Sequence, residues 1–377
     1  MHVSLRRRDD IVVVGPVHPL KGGIAQHTAE LARQIRARGL AVRVESWRSQ
    51  YPRWLYPGEA EVPHGSTEGE PLERTTRRLQ WWNPFTWFGA GRRMRSADVV
   101  VLTAVVPFHA VPYRVLLAGL GRRRPRVVVV CHNVLPHEPT PVDRPLMRAL
   151  LRVVDHTIVH TEEQGALARS LGARSVSAVH LPPFVPFRAT ARTVGKPTSR
   201  RLVFFGFVRP YKGLDDLLHA LAQVDDVALT VCGEVWGGRE AIDDTIRALG
   251  LQDRVTLIDR YVEAESIPSI LEGHDALVAP YRTGTASQHV LIAHRLGLPV
   301  IATRVGSFPA QIDDGTDGLL CQPCDVDSLA ATIRRLYEPG VLEHLRRNVP
   351  TTDDSSAWDD YVAAIRGRLR APAAGDG

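Results

Sequence analysis

At 377 residues, with 44% hydrophobic and 23% charged side chains, the chain has the makeup of a folded, soluble protein and is too long for one core of usual size, so two domains of about 150 to 200 residues are expected. Its longest apolar runs, Val99–Val106 and Val127–Cys131, are far shorter than the ~20 residues that cross a bilayer, and four scattered cysteines argue against a disulfide scaffold and for a reducing compartment. The net charge of +6 suits nucleic acid, anionic lipid or a polyanionic substrate. Nucleic acid is the weakest of these, because the arginines are spread along helices without the aromatic-interleaved strands of an RNA-binding sheet.

The amino end, Met1 to Arg8, is basic but lacks an apolar signal core, so a cytoplasmic protein is expected. Ile11–Val14 read as a strand, Gly15 and Lys21-Gly22-Gly23 as a glycine loop, and the stretch through Leu31 and Ile35 as a helix. Gly22 and Gly23 permit close backbone approach to a donor ligand, a ligand-free tight turn being the alternative. After a strand at Ala41–Glu45, Tyr51–Leu79 read as a polar insertion. Asn83 and Pro84 then supply the cap and first position of a helix that follows Trp81 and Trp82 and carries Arg92, Arg93 and Arg95. Such a helix could make peripheral contact with an anionic membrane. The expectation is instead that its aromatic face packs on the first domain, since its apolar face is short.

Further strands are expected at Val99–Thr103, Val127–Cys131 and Thr157–His160. The run from Cys131 to Glu138 puts polar side chains at the carboxyl edge of a parallel sheet, where ligands bind. His132 is a candidate there, with His109, His137 and Glu138 as weaker acceptor-side candidates. Pro186–Arg200 lack periodicity and read as a linker.

In the second half, strands are expected at Leu202–Phe205, Ala228–Cys232, Val255–Ile258, Ala276–Ala279 and Val300–Ala302. The most informative segment runs from Phe204 through Gly206 to Gly213. An apolar strand enters a loop carrying Arg209 and Lys212, and leucines at helical spacing follow, so a diphosphate is the natural guest. Glu234, Tyr261 and Val262 follow strands and are expected near a nucleobase or ribose. Thr285, Ser287, Gln288 and His289 read as the polar head of a helix ended by Gly297, its first turn a second anion site. Cys321 and Cys324 lack a second ligand pair, and Asp325 and Asp327, despite their Asp-x-Asp spacing, begin a helix where carboxylates act as caps. No metal site and no cofactor are expected.

Alternating strands and helices imply two α/β domains with parallel sheets covered on both faces. The ordered set of glycine loop, Arg209/Lys212 loop, Ser287 turn and Asp313-Asp314-Gly315 run resembles the retaining, nucleotide-sugar-dependent family 4 glycosyltransferases over nearly the whole chain. The resemblance implies the GT-B architecture, two Rossmann-like domains facing each other across a cleft. The acceptor-side domain would be 1–190 with a returning helix at 352–370, and the donor domain 198–350. It also implies metal-independent, retaining transfer of a sugar from a nucleotide sugar to an acceptor such as a secondary metabolite or a cell-surface glycan or glycolipid. Lys212 matches the phosphate-binding lysine and His132 the strand-end histidine.

Two positions depart from the family pattern. Phe207 stands where an arginine is usual, so Arg209 is expected to take over its contact. Gly284 and Ile292 replace a pair of glutamates, which makes this a branch lacking that motif. A nicotinamide-dependent dehydrogenase fails on the glycine fingerprint. A sugar-nucleotide epimerase of the same fold and a non-catalytic nucleotide-sugar-binding protein stay open.

Overall fold

The computed structural model describes residues 10–52, 60–62, 72–104, 106–136, 139–182, 198–236, 238–284, 287–350 and 355–367. It divides into two compact units, Met1–Pro182 with Asp354–Gly377, and Pro183–Asp353. Most of the expected linker lies outside the described residues.

The strands are β1 Asp10–Val14, β2 Ala41–Ser49, β3 Thr75–Gln80, β4 Val99–Ala104, β5 Arg126–Cys131, β6 His156–Val159 and β7 Val176–Ala178 in the first unit. The second unit holds β8 Arg201–Phe205, β9 Ala228–Cys232, β10 Val255–Ile258, β11 Ala276–Ala279, β12 Val300–Thr303 and β13 Gly318–Cys321. The first sheet has the order β3-β2-β1-β4-β5-β6-β7 and the second β10-β9-β8-β11-β12-β13, with parallel pairing throughout. Both are Rossmann-like. Strand order reverses at β1/β4 and at β8/β11, and the crevice outside the carboxyl ends at such a reversal is where α/β sheets take ligands.

The central strands are continuous valine, isoleucine and leucine runs because both of their faces are covered; Ile11 to Val14 and Val127 to Val130 are fully buried. Edge strands carry less of this signal. β3, mostly within the stretch read as an insertion, runs Thr-Thr-Arg-Arg-Leu-Gln and buries only Leu79, because an edge strand pairs on one side only and needs no apolar run. β7 has just three residues.

The helix Pro84–Arg93 begins as expected, with Asn83 Oδ1 accepting from the Phe85 amide at 3.1 Å. Its aromatic face packs only in part as expected, through Trp87. Trp87, Ala90, Gly91 and Met94 form the buried stripe, and Gly91 and Gly119 bring this helix backbone to backbone with Ala110–Leu120. A Cβ on Gly91 would collide with the Leu116 carbonyl oxygen, and one on Gly119 with that of Phe88. The small residues take the contact and turn Phe85 and Phe88 outward. The last helix, Ser355–Arg366, belongs to the first unit and buries Trp358 and Tyr361 there. Among the described residues, no helix is long and apolar enough to cross a membrane.

Candidate active site

In the second unit, β8 ends at Phe205 and the chain turns at Gly206, whose φ of +96° suits glycine. A Cβ there would stand 2.5 Å from His289 Nε2 and 3.1 Å from Lys212 Nζ. The missing side chain thus lets an ammonium and an imidazole converge on the backbone at the carboxyl end of a central strand. Lys212 arrives on the short turn Pro210–Lys212 and is 5% exposed. Burial, with the Arg209 charge second, brings its ammonium down to about 7. Its Nζ lies 5.4 Å from the centroid of Tyr281.

His289 arrives from the far side of the sheet reversal. Its Nδ1 lies 2.7 Å from Ser287 Oγ and 3.2 Å from the Tyr281 hydroxyl. A neutral ring that accepts these hydroxyls at Nδ1 carries its proton on Nε2 and presents it at Gly206. Burial, then the Lys212 charge, holds the ring well below the ordinary histidine range, so the ring is neutral. Sequence reasoning passed over Tyr281. The signal available was its position just beyond β11, at the carboxyl edge beside the reversal.

The helix there is His289–Arg295, with Gln288 of the polar turn at its cap position. Thr285 lies outside the described residues. Ser287 acts through its hydroxyl on His289, and Gln288 stands in the cap position without a side-chain cap bond. The amino end of the helix Leu214–Ala222 carries Asp215 and Asp216, and Asp216 forms a two-pronged pair with Arg282 at 2.8 and 2.6 Å. That terminus already has its own carboxylates beside it. Gly213, with φ +71°, sits against Pro280, whose carbonyl oxygen any Cβ would strike.

Arg209 lies 4.8 Å over the Trp236 ring. Phe207 packs 5.1 Å from Trp236 and 6.2 Å from Tyr261, so the residue in place of the family arginine joins an aromatic group at the ends of β8, β9 and β10. Glu234 Oε1 accepts from Trp236 Nε1 at 3.2 Å. Val262 is partly buried against the core.

In the first unit, Gly22 has a φ of +107° and caps the helix Gly23–Ala37, whereas a Cβ on Gly23 would meet nothing within 4 Å. Only Gly22 requires glycine for its own conformation. His132 follows β5 and joins His27 and His160, with ring centroids 4.7 and 5.0 Å away. Trp358 and Tyr361 close the group, stacked on His27 at 5.7 Å and on His160 at 6.0 Å. Burial and the neighbouring histidines push His132 well below its ordinary value. Burial brings His160 to about 4, the Val179 carbonyl on its Nδ1 acting the other way. The Nε2 atoms of His132 and His160 are buried with no hydrogen-bond partner among the described residues. His109, expected on the acceptor side, is fully buried between Trp47 and Tyr51, 5.2 and 5.4 Å from their centroids. His137 and Glu138 lie outside the described residues. Asp325 caps Val326–Leu336 by accepting from the Ser328 amide at 2.8 Å.

Comparison with known proteins fits this arrangement. Residues 21–186 match the family described as Glycosyltransferase Family 4, and residues 199–339 the one described as Glycosyl transferases group 1. The chain is 32% identical over 204 residues to D-inositol 3-phosphate glycosyltransferase of Mycolicibacterium smegmatis, covering 50% of this chain and 47% of that protein. It is 28% identical over 263 residues to the protein of the same name from Segniliparus rotundus, covering 61% and 58%. The chain thus spans about half the length of the curated relatives it matches. Among solved structures, sucrose-phosphate synthase from Thermosynechococcus elongatus superposes with a TM-score of 0.71 at 16% identity, over 96% of this chain and 98% of that one. Anabaena HepE in complex with UDP-glucose does so with a TM-score of 0.71 at 16% identity, over 95% and 100%. With its two halves matching these families in order and both sheets of the GT-B kind, the chain belongs to the family 4 type of glycosyltransferases.

Proposed function

We propose that this glycosyltransferase moves a sugar from a nucleoside diphosphate sugar to a hydroxyl of its acceptor with retention of the anomeric configuration and without a metal. The acceptor is a secondary metabolite or a cell-surface glycan or glycolipid. The observation that carries the donor side is the meeting of Lys212 Nζ and His289 Nε2 at Gly206. Breaking the bond from the anomeric carbon to the phosphate oxygen puts charge on the leaving diphosphate, and a buried ammonium with a neutral imidazole donor stabilises it without receiving a proton. Arg209 adds positive charge beside Lys212. The Phe207, Trp236 and Tyr261 rings offer flat apolar faces suited to a nucleobase, and the fold's likeness to a protein in complex with UDP-glucose supports the same donor class. On the other unit, His132, at a strand's carboxyl end, is proposed to contact the sugar.

The test is Lys212→Ala. Turnover is expected to fall about a hundredfold or more in a folded protein, on the scale of a lost charge-stabilising donor; near-normal turnover would mean the diphosphate lies elsewhere. Proton NMR of the product reads the anomer, and an inverted one refutes retention. Activity that disappears in EDTA and returns with manganese refutes metal independence. Nucleoside diphosphate released only when acceptor is present separates transfer from epimerisation.

A further inference from the structure

Past their last residues, β8 and β9 stay joined. The Gly206 amide donates to the Cys232 carbonyl at 2.9 Å, that of Val208 to Glu234 at 2.9 Å and that of Trp236 to Val208 at 3.2 Å, with a parallel bridge between Val208 and Val235. The loop that carries Arg209 is thus zipped to the loop that carries Trp236. Side chains alternate along extended backbone, so Phe207 and Arg209 project to the same side. Both reach the Trp236 ring, at 5.1 and 4.8 Å from its centroid. Tyr211 adds a second ring, its centroid 6.0 Å from the guanidinium.

Other arginines at this end of the sheet are taken by carboxylates. Arg239 pairs with Asp243 and Asp259 at 2.9 and 3.3 Å, and Arg282 with Asp216 at 2.6 Å. Arg209 makes no ion pair or hydrogen bond with the described residues, only the two ring contacts. Rings orient a guanidinium through its flat face and leave its N–H edge for a ligand, whereas a carboxylate would occupy that edge and cancel the charge. Arg209 is also close enough to Lys212 for its charge to act on that ammonium. Relative to the family pattern the arginine stands two residues later, which keeps it on the same side of the chain. Phe207, in the family position, packs against the indole that supports it.

We propose that Trp236 is a positioning residue for the transfer: with Tyr211 it holds the Arg209 guanidinium so that the N–H edge meets the leaving diphosphate beside Lys212. The inference rests on the diphosphate site at Gly206 proposed above. A guanidinium held beforehand has fewer side-chain rotations to lose when the diphosphate arrives, so the ring contributes to binding without touching the ligand.

The experiment is calorimetric titration of the full chain with inorganic pyrophosphate, which has the diphosphate but no base to stack on a ring. Arg209→Ala is expected to weaken binding about tenfold or more, and Trp236→Leu about threefold to tenfold. Trp236→Phe, which keeps an aromatic face, should bind close to wild type. Arg209→Ala combined with Trp236→Leu should lose no more than Arg209→Ala alone, since the ring acts through the arginine. Thermal melts show that each variant folds, and Trp236→Gln replaces the leucine variant if that one melts early. Wild-type affinity in folded Trp236→Leu, equal losses in the leucine and phenylalanine variants, or additive losses in the double variant each overturn the role of Trp236, provided that Lys212→Ala loses affinity. Wild type that does not bind pyrophosphate, or Lys212→Ala that binds it normally, refutes the diphosphate site itself and this inference with it.

Discussion

Lys212 concentrates the chemistry of the second unit in one buried ammonium. Its neighbours at Gly206 and Tyr281 are neutral, so nothing there repays the desolvation of its charge, and its pKa drops from 10.5 to about 7. The sign follows. Between pH 7 and 10.5 the unfolded chain binds the proton and the folded chain does not, so the contribution of this residue to stability rises with pH across that window. Wild type is therefore expected to gain thermal stability relative to Lys212→Met on going from pH 7 to pH 9. A diphosphate favours the charged lysine and raises its pKa, so affinity is full below about 7 and falls as pH rises, by at most tenfold per unit. Calorimetric titration with a nucleoside diphosphate from pH 7 to 9, in buffers of different ionisation enthalpy, should show proton uptake that disappears in Lys212→Met. A flat affinity profile would mean the ammonium does not face the phosphates. The two cations and their loop were legible in the sequence because they lie within four residues of each other. His289 was legible as part of an anion site but not as the neighbour of Lys212, since only the adjacency of β8 and β11 brings the two together.

Elements meet in this protein where side chains are absent. Gly213 joins the Lys212 turn to the end of β11 by lying against Pro280. Gly213→Ala adds a Cβ both at positive φ and into a carbonyl oxygen, so the turn must shift, and a fall in nucleotide affinity in calorimetry is expected together with a lower melting temperature. Gly91→Val, remote from that loop, is expected to destabilise by about 1 to 3 kcal/mol or more by forcing two helices apart. Nucleotide affinity in that variant should stay at the wild-type value. Equal affinity losses in the two variants would show that the Gly213 effect is general unfolding and not loop placement. Binary pattern placed the central strands, missed the edge strand β3, and foresaw only in part how Pro84–Arg93 packs. Aromatic residues on a short helix read as core, yet a glycine stripe allows a closer approach than any aromatic face, and the stripe took the contact.

Each unit has its own core, and the last helix belongs to the first one. Trp358 is 1% exposed and stacks on His27, so Trp358→Ala is expected to cost the first unit about 3 to 5 kcal/mol. Scanning calorimetry should show one transition moving down and another unchanged, with nucleotide binding retained below the lower one. A single transition that moves as a whole would show the units to unfold together. At this scale the amino-acid order alone determined that strands and helices alternate, that the central strands are buried on both faces, and that two cations follow a strand, because those properties are written in runs of a few residues. Tertiary structure decided which strand ends adjoin. It thereby gathered Lys212 with Tyr281 and His289, joined His27, His132 and His160 under Trp358 and Tyr361, and left Phe85 and Phe88 facing outward. Periodicity records which face of an element is apolar; what that face meets depends on the order of strands in a sheet and on how closely two backbones can approach.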